Sequence, residues 1–323
     1  LRTSGGRRAD RGFGFDAPIG HDGYAWWYID AVSDDGNYAL VIIAFVGSVF
    51  SPYYAGARRR GPADPMRHCA INVALYGPRR RHWTMTERDS IQRGADYLAV
   101  GPSSLEWDGD SLVARIDEWT APLPERVRGT VRLRPGQLTD HAVTLDPAGE
   151  HVWCPIAPNS RIEVAFDAPD LRWQGEAYVD ANAGTRPLES GFRRWDWSRA
   201  RAGGGTTVLY EVTPRAGNDR ALALNINAQG DLACVEPPPH VELPRSRWGV
   251  HRTTRSNGPA GASVAATLED GPFYTRSLVT SELWGEPVIA VHESICLDRF
   301  SSRVVQAMLS VRMPRLGGRR RFG

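Results

Sequence analysis

"LRWQGEAYVDANAG", residues Leu171–Gly184, is the stretch on which the fold reading turns. In an extended strand alternate residues face the same way. One row then holds Leu171, Trp173, Gly175, Ala177 and Val179, and the other holds Arg172, Gln174, Glu176, Tyr178 and Asp180. The apolar row needs a core. The second row faces either water or a cavity in which a phenol and a carboxylate do chemistry.

The same alternation recurs along the chain. Ser111–Trp119, "SLVARIDEW", sets Leu112, Ala114 and Ile116 against Val113, Arg115 and Asp117, directly after the hairpin dipeptide Asp108-Gly109. Asp35-Gly36 precedes the apolar run Tyr38–Phe50 in the same manner, and that run reads as one or two buried strands. Further strands are expected at Ala70–Leu75, Val127–Leu133, Arg161–Phe166, Thr206–Val212 and Ala221–Ile226. Helical periodicity is confined to Ser301–Ser310, a short helix. Many short strands separated by Gly, Pro and Asp turns indicate an all-β chain of sandwiches or barrels.

A chain of 323 residues buries a large core and accommodates two domains. Its 11 tryptophans and mean hydropathy of −0.38 fit an aromatic-rich globular protein, and no apolar run approaches the ~20 residues of a membrane helix. The net charge of +2 does not select nucleic acid as a partner. Every basic residue is Arg. The triplets Arg58–Arg60, Arg79–Arg81 and Arg319–Arg321 lie beside Gly or Pro and read as solvated loops. Contact with anionic lipid head groups, at ~1 kcal/mol per charge, is the alternative. Cys69, Cys154, Cys234 and Cys296 form no CxxC pair and are expected to be buried free thiols.

The expected organisation is a disordered arm over 1–15, one β-domain over 16–200, a second over 201–316, and a basic tail over 317–323. The glycine-rich run Arg201–Gly205 is the preferred junction.

Nucleophile elbows, HExxH helices, phosphate loops and correctly placed dinucleotide fingerprints are missing, and the eight histidines include no pair at i, i+3 or i, i+4. No metal or cofactor is expected, although a scattered three-histidine site on barrel strands stays open. Two i, i+2 constellations remain. "EHVWCP" puts His151 and Trp153 on one strand face, and "AYVD" does the same for Tyr178 and Asp180. Side by side, such strands group an imidazole, an indole, a phenol and a carboxylate. On spacing alone, His151 reads as an ordinary satisfied histidine and Asp180 as the opening of an Asx turn.

Several strings in order resemble one family. They are Asp22–Tyr54, "DGYAWWYIDAVSDDGNYALVIIAFVGSVFSPYY"; His68–Gly77, "HCAINVALYG"; Trp83–Arg88, "WTMTER"; His151 through "AYVDANAG"; Arg193–Trp197, "RRWDW"; Gly271–Ser277, "GPFYTRS"; and His292–Phe300, "HESICLDRF". From about Asp16 to Met313 the chain is similar to the acyclic carotenoid 1,2-hydratases of photosynthetic bacteria. These belong to a wider group with paired lipocalin-like domains that includes fungal pericyclases. Members often carry a longer N-terminal segment, so the chain is expected to lack its natural beginning.

The resemblance implies two lipocalin-like β-barrel domains in tandem. It implies cofactor-free hydration of the terminal C1=C2 bond of neurosporene or lycopene to a tertiary alcohol. It puts the acid on Asp180, with Tyr178, His151 and Trp153 as companions. It also implies a substrate dissolved in lipid, hence peripheral attachment to the cytoplasmic side of the bacterial inner, photosynthetic membrane. An isomerase or pericyclase acting on another polyene, and a polyene carrier without chemistry, are the competing readings.

The chemistry suits these residues. Protonation at C2 leaves a tertiary cation at C1 for water to capture. A free Asp has a pKa of about 3.9, so a neutral acid near pH 7 needs an upward shift of roughly 3 units, ~4 kcal/mol. An apolar barrel interior is expected to supply it, with the second row of the Leu171–Gly184 strand lining a substrate tunnel there. Neutral His151 would orient acid or water, and the faces of Trp153 and Tyr178 would attract the cation by roughly 0.5–2 kcal/mol each. The consecutive aromatics Trp26, Trp27 and Tyr28 cannot all face one cavity, so at least one side of that run is expected to serve packing, and no catalytic role is assigned to it.

Overall fold

A computed structural model of the chain describes residues 2–3, 12–78 and 80–317. The expected arm over 1 and 4–11, Arg79, and the basic tail from 318 onward lie outside the described residues. The chain divides into two compact units, Leu1–Pro187 with Ala307–Gly323, and Leu188–Gln306. Both are built almost entirely from antiparallel strands, so the chain is all-β with curled, lipocalin-like sheets, as expected.

In the first unit the neighbouring strands are, in order, Cys69–Tyr76, Ala39–Val46, Tyr24–Ser33, Asp170–Gly184, His151–Ala168, Arg126–Pro135, Leu112–Trp119, Ser103–Trp107 and Tyr97–Val100. Successive hairpins account for most of these neighbours, and the Asp35-Gly36 and Asp108-Gly109 turns stand where expected, with Gly36 and Gly109 at φ of 71° and 96°. The pairing of Tyr24–Ser33 with Asp170–Gly184 is different, because it joins distant parts of the chain. It is this pairing that builds the site.

One face of the sheet is packed solid. Trp27, Ile29, Ile42, Ile71, Val164 and Val179 belong to a single buried apolar cluster, and Ala177 and Trp173 of the quoted strand join it. The apolar row of that strand therefore has the core it requires. Phe13 and Phe15 are also fully buried there, which corrects the expected arm at its last residues. The Phe15 and Trp27 ring centroids lie 4.9 Å apart, and Trp27 Nε1 donates to the Phe13 carbonyl at 3.0 Å. Two aromatic rings at i, i+2 bury enough area to pin a short backbone stretch despite its polar neighbours.

The Ala307–Gly323 part of this unit returns as a short strand, Arg315–Leu316, parallel to Glu87–Arg88. The Arg315 guanidinium bonds Glu87 and lies 2.8 Å from His68 Nδ1, while Glu87 is fully buried.

The second unit is a seven-stranded sheet ordered Leu232–Val235, Arg220–Ile226, Gly205–Pro214, Phe192–Ala202, Glu286–Cys296, Tyr274–Leu283 and Ser263–Asp270. The stretch Arg201–Gly205 is a hairpin within this unit, and the division falls between Pro187 and Leu188 instead. Gly203 and Gly204 have φ of 59° and 71°, and a two-residue hairpin of this kind needs positive φ at both central positions. A glycine pair is thus a hairpin mark before it is a linker mark. All four cysteines are free, but only Cys69 is buried; Cys234 is exposed because its strand lies at the sheet edge. The expected helix is found at Arg303–Arg312, two residues later than its sequence bounds.

Candidate active site

His151–Ala168 and Asp170–Gly184 form one long hairpin, in register Trp153 with Asn182 and His151 with Gly184. Directly opposed residues share a face. His151 and Trp153 therefore stand on the same side as Tyr178, Asp180 and Asn182. The structure joins Trp153, Tyr178 and Asp180 through direct hydrogen bonds and puts His151 on the same face, bonded to Tyr24, and each of the four is buried.

Asp180 is the centre of the group. Trp153 Nε1 donates to Asp180 Oδ2 at 2.7 Å, and the Tyr178 hydroxyl donates to the same oxygen at 2.9 Å. An indole N–H can only donate, so this geometry makes Oδ2 an acceptor of two bonds. Both donors are neutral. They can serve the carbonyl oxygen of a carboxylic acid as well as a carboxylate.

His151 is held from two sides. Its backbone N–H donates to Asp146 Oδ1 at 2.7 Å, and its Nδ1 shares a hydrogen bond with the Tyr24 hydroxyl at 2.8 Å. The rings of Tyr24 and His151 stack with centroids 5.8 Å apart. They meet over Gly184, where an added Cβ would lie 2.5 Å from Tyr24 Cε1 and 2.8 Å from His151 Nδ1. Only glycine leaves room for this contact.

Sequence reasoning missed the contribution of Tyr24–Ser33. Register sets Gly184 against Tyr24, Asn182 against Trp26, Asp180 against Tyr28 and Tyr178 against Asp30. Tyr24, Trp26, Tyr28 and Asp30 therefore share the site face, all buried, while Trp27 and Ile29 point into the core. Only one side of the aromatic run serves packing. Asp30 is a second buried carboxyl on this face, whereas Glu176, further along the same row as Asp180, is half-buried and stands in register with Arg161 of the neighbouring strand.

One expectation needs correction. The site row does not line the interior of the first barrel, which is filled by the apolar cluster; it lies on the opposite face of the same sheet. Alternation defines two rows but not which of them the sheet encloses.

The second unit holds its own buried polar groups. A cleft of about 270 Å³ is lined by Arg194, Asp196, Glu211, Arg220, His240 and Arg255, among others. Burial pushes the Asp196 carboxyl up to about 6, against the pull of Arg194 at 3.1 Å. His292 bonds Ser198 at 2.7 Å and Ser294 at 3.0 Å, and burial lowers its pKa to about 3. Among the described residues no three His, Cys, Asp or Glu side chains gather as a metal-binding group.

Comparison with known proteins places this geometry. The family model described as carotenoid hydratase CrtC matches residues 42–322. The acyclic carotenoid 1,2-hydratase of Thiocapsa roseopersicina is 53% identical over 319 residues, covering 98% of this chain and 79% of that protein. That of Rubrivivax gelatinosus is 49% identical over 306 residues, covering 93% of this chain and 75% of its own length. In fold alone, a Nitrosomonas europaea protein whose solved structure carries the name AttH aligns with a TM-score of 0.58 at 17% identity, over 84% of this chain and 91% of that one. From the extent of the family match and the identity to these hydro-lyases, the chain belongs to the carotenoid hydratase family.

Proposed function

We propose that this enzyme adds water across the terminal C1=C2 bond of acyclic carotenoids such as neurosporene and lycopene, giving a 1-hydroxy tertiary alcohol, with Asp180 as the proton donor. One arrangement supports the reading: two neutral donors, Trp153 and Tyr178, on a single oxygen of a buried carboxyl.

With Oδ2 acting as the carbonyl oxygen, the acidic proton resides on Oδ1. Its transfer to C2 breaks the Oδ1–H bond, forms a C2–H bond with the alkene electron pair, and leaves a tertiary cation at C1. Negative charge then develops on the carboxylate, and the two hydrogen bonds to Oδ2 strengthen as it does, which lowers the barrier. The faces of Trp153 and Tyr178 attract the cation without forming a covalent bond to it. Water attacks C1, and the resulting oxonium returns a proton to Asp180. The sum is one water added and the acid restored. No electrons are lost or gained, so the cycle calls for no redox cofactor. His151, braced by Tyr24, orients the incoming water.

The substrate is lipid-soluble, so the enzyme works at the surface of the bacterial inner membrane. Among the described residues no helix is long and apolar enough to cross a membrane.

Incubation of the purified protein with neurosporene or lycopene in heavy water tests this. The product should gain one water, with deuterium at C2 and solvent oxygen at C1. A product of unchanged mass would indicate an isomerase, and bound but unaltered polyene a carrier.

A further inference from the structure

The helix Arg303–Arg312, "RVVQAMLSVR", is apolar on two sides, with Val305 and Leu309 turned inward and a second apolar set turned outward. Its buried residues are Val305 and Gln306. Its exposed side carries Val304, Met308 and Val311, at 70%, 39% and 60% exposure, with Ala307 between them. Positions i, i+4 and i+7 lie on one stripe of an α-helix. The exposed stripe is therefore apolar, and Arg303 and Arg312 fall at its two edges. Leu316, just beyond the helix, is 57% exposed. Single exposed apolar residues are ordinary on a protein surface, but a contiguous face of them marks an interaction site.

Charge identifies the partner. From Arg299 to the end of the given sequence there are seven arginines and no acidic residue. The preceding 298 residues hold the other 32 basic residues and all 37 acidic ones, so the sequence from Arg299 onward carries the excess of positive charge, of which Arg315 is offset by Glu87. An apolar helical stripe edged by arginines, whose alkyl stems can lie along apolar surface while the guanidinium stays in water, fits the boundary between lipid head groups and acyl chains.

We infer that Arg303–Arg312 is the element that docks the enzyme on an anionic bilayer, lying in the interface with Val304, Met308 and Val311 in the acyl boundary. Arg303, exposed at one edge, reaches the lipid phosphates, while Arg312 at the other edge stacks over the Trp83 ring at 4.4 Å. The inference rests on the reading above that the substrate is drawn from lipid, and its test keeps the two apart.

The experiment is vesicle co-sedimentation of the full chain. Vesicles are phosphatidylcholine alone, or phosphatidylcholine with about one third phosphatidylglycerol. Wild type should prefer the anionic vesicles by about tenfold at low salt, with the preference fading as salt rises. The triple variant Val304→Ser, Met308→Ser, Val311→Ser should bind them at least about tenfold more weakly. Arg303→Glu should weaken binding to anionic vesicles only, which provides a second readout from one exposed position. Hydration of detergent-dispersed neurosporene should stay within about twofold of wild type in both variants, because no docking step is required there. Undiminished vesicle binding by the triple variant would overturn the proposal. So would a variant that keeps vesicle binding but loses self-association, since the stripe would then cover a second copy. If wild type binds neither vesicle, membrane attachment fails altogether, whereas absence of turnover in detergent would instead sink the proposed reaction.

Discussion

Asp180 in the first unit and Asp196 in the second are both buried strand aspartates, yet their company differs. Asp180 accepts from an indole N–H and a phenol O–H, which are neutral donors. Asp196 accepts from the Arg194 guanidinium at 3.1 Å and lines a cleft that also holds Arg220 and Arg255. Neutral donors stabilise a carboxyl in either protonation state, while a guanidinium favours the ionised one. A carboxyl that must give up a proton and take one back in each turnover is better served by the first environment. The kind of partner, more than depth of burial, separates the two.

The largest effect should come from exchanging the acids themselves. Asp180→Asn should cut neurosporene hydration by about 1,000-fold or more with the fold intact, while Asp196→Asn stays within about threefold, judged by initial rates and circular dichroism. Equal losses would erase the distinction between the two aspartates. Removing one donor from Oδ2 sharpens it. Trp153→Phe keeps an aromatic face and should cost about 100-fold in kcat, and Tyr178→Phe about tenfold. A variant that changes KM alone would mean that the donors bind substrate and do not steady the carboxylate.

A smaller effect is expected one layer out. Gly184→Ala places a methyl between Tyr24 and His151 and should lower kcat by about tenfold; Tyr24→Phe, which deletes only the hydroxyl, should cost about threefold. Unaltered kinetics in Gly184→Ala would show that the Tyr24–His151 contact does not matter to turnover.

The smallest expected effect is on stability. Asp196 has a folded pKa of about 6 against an ordinary 3.8, so between about pH 4 and 6 the native state keeps a proton that the unfolded chain has lost. This component of stability therefore falls as pH rises through that window, by ~3 kcal/mol, and it should vanish in Asp196→Asn when urea melts are compared across pH. His292 has the opposite sign. Its pKa is lowered from 6.5 to about 3, so its contribution is full above pH 6.5 and is lost on acidification towards 3. A stability difference between wild type and the Asn variant that stays constant from pH 4 to 6 would locate the titrating group elsewhere.

Much of this was legible in the sequence. The two rows of Leu171–Gly184, the Asp-Gly hairpins and the i, i+2 pairs His151/Trp153 and Tyr178/Asp180 are local patterns, and local patterns are written in spacing. Register between distant strands is not. Tyr24 and Asp30 join the site through pairing with residues some 150 positions away, so no window of sequence reveals them. That the aromatic run Trp26–Tyr28 cannot share one face follows from its spacing, but only its pairing shows which members leave the core and join the site face. The Gly203-Gly204 pair reads equally as hinge or hairpin until its neighbours are seen to pair. Phe13 and Phe15 were hidden by a polar window, since composition averages over the two rings that hold the backbone down.

The return of residues 307–317 to the first unit has a consequence for how the protein is made. Arg315 reaches Glu87, a buried carboxyl in the first unit, and the strand Arg315–Leu316 extends that unit's sheet. On a ribosome the whole of Leu188–Gln306 is synthesised between these partners. A nascent chain that has finished its second unit still carries an unclosed first one, with Glu87 awaiting its guanidinium. His68, 2.8 Å from Glu87, is made with that unit, but the carboxyl lacks its guanidinium until Arg315 arrives, so the earlier-made unit is the later one to reach full stability. A chain cut before Arg315 should thus fail in its first unit, far in sequence from the cut, and holding factors that protect growing chains would find their client there.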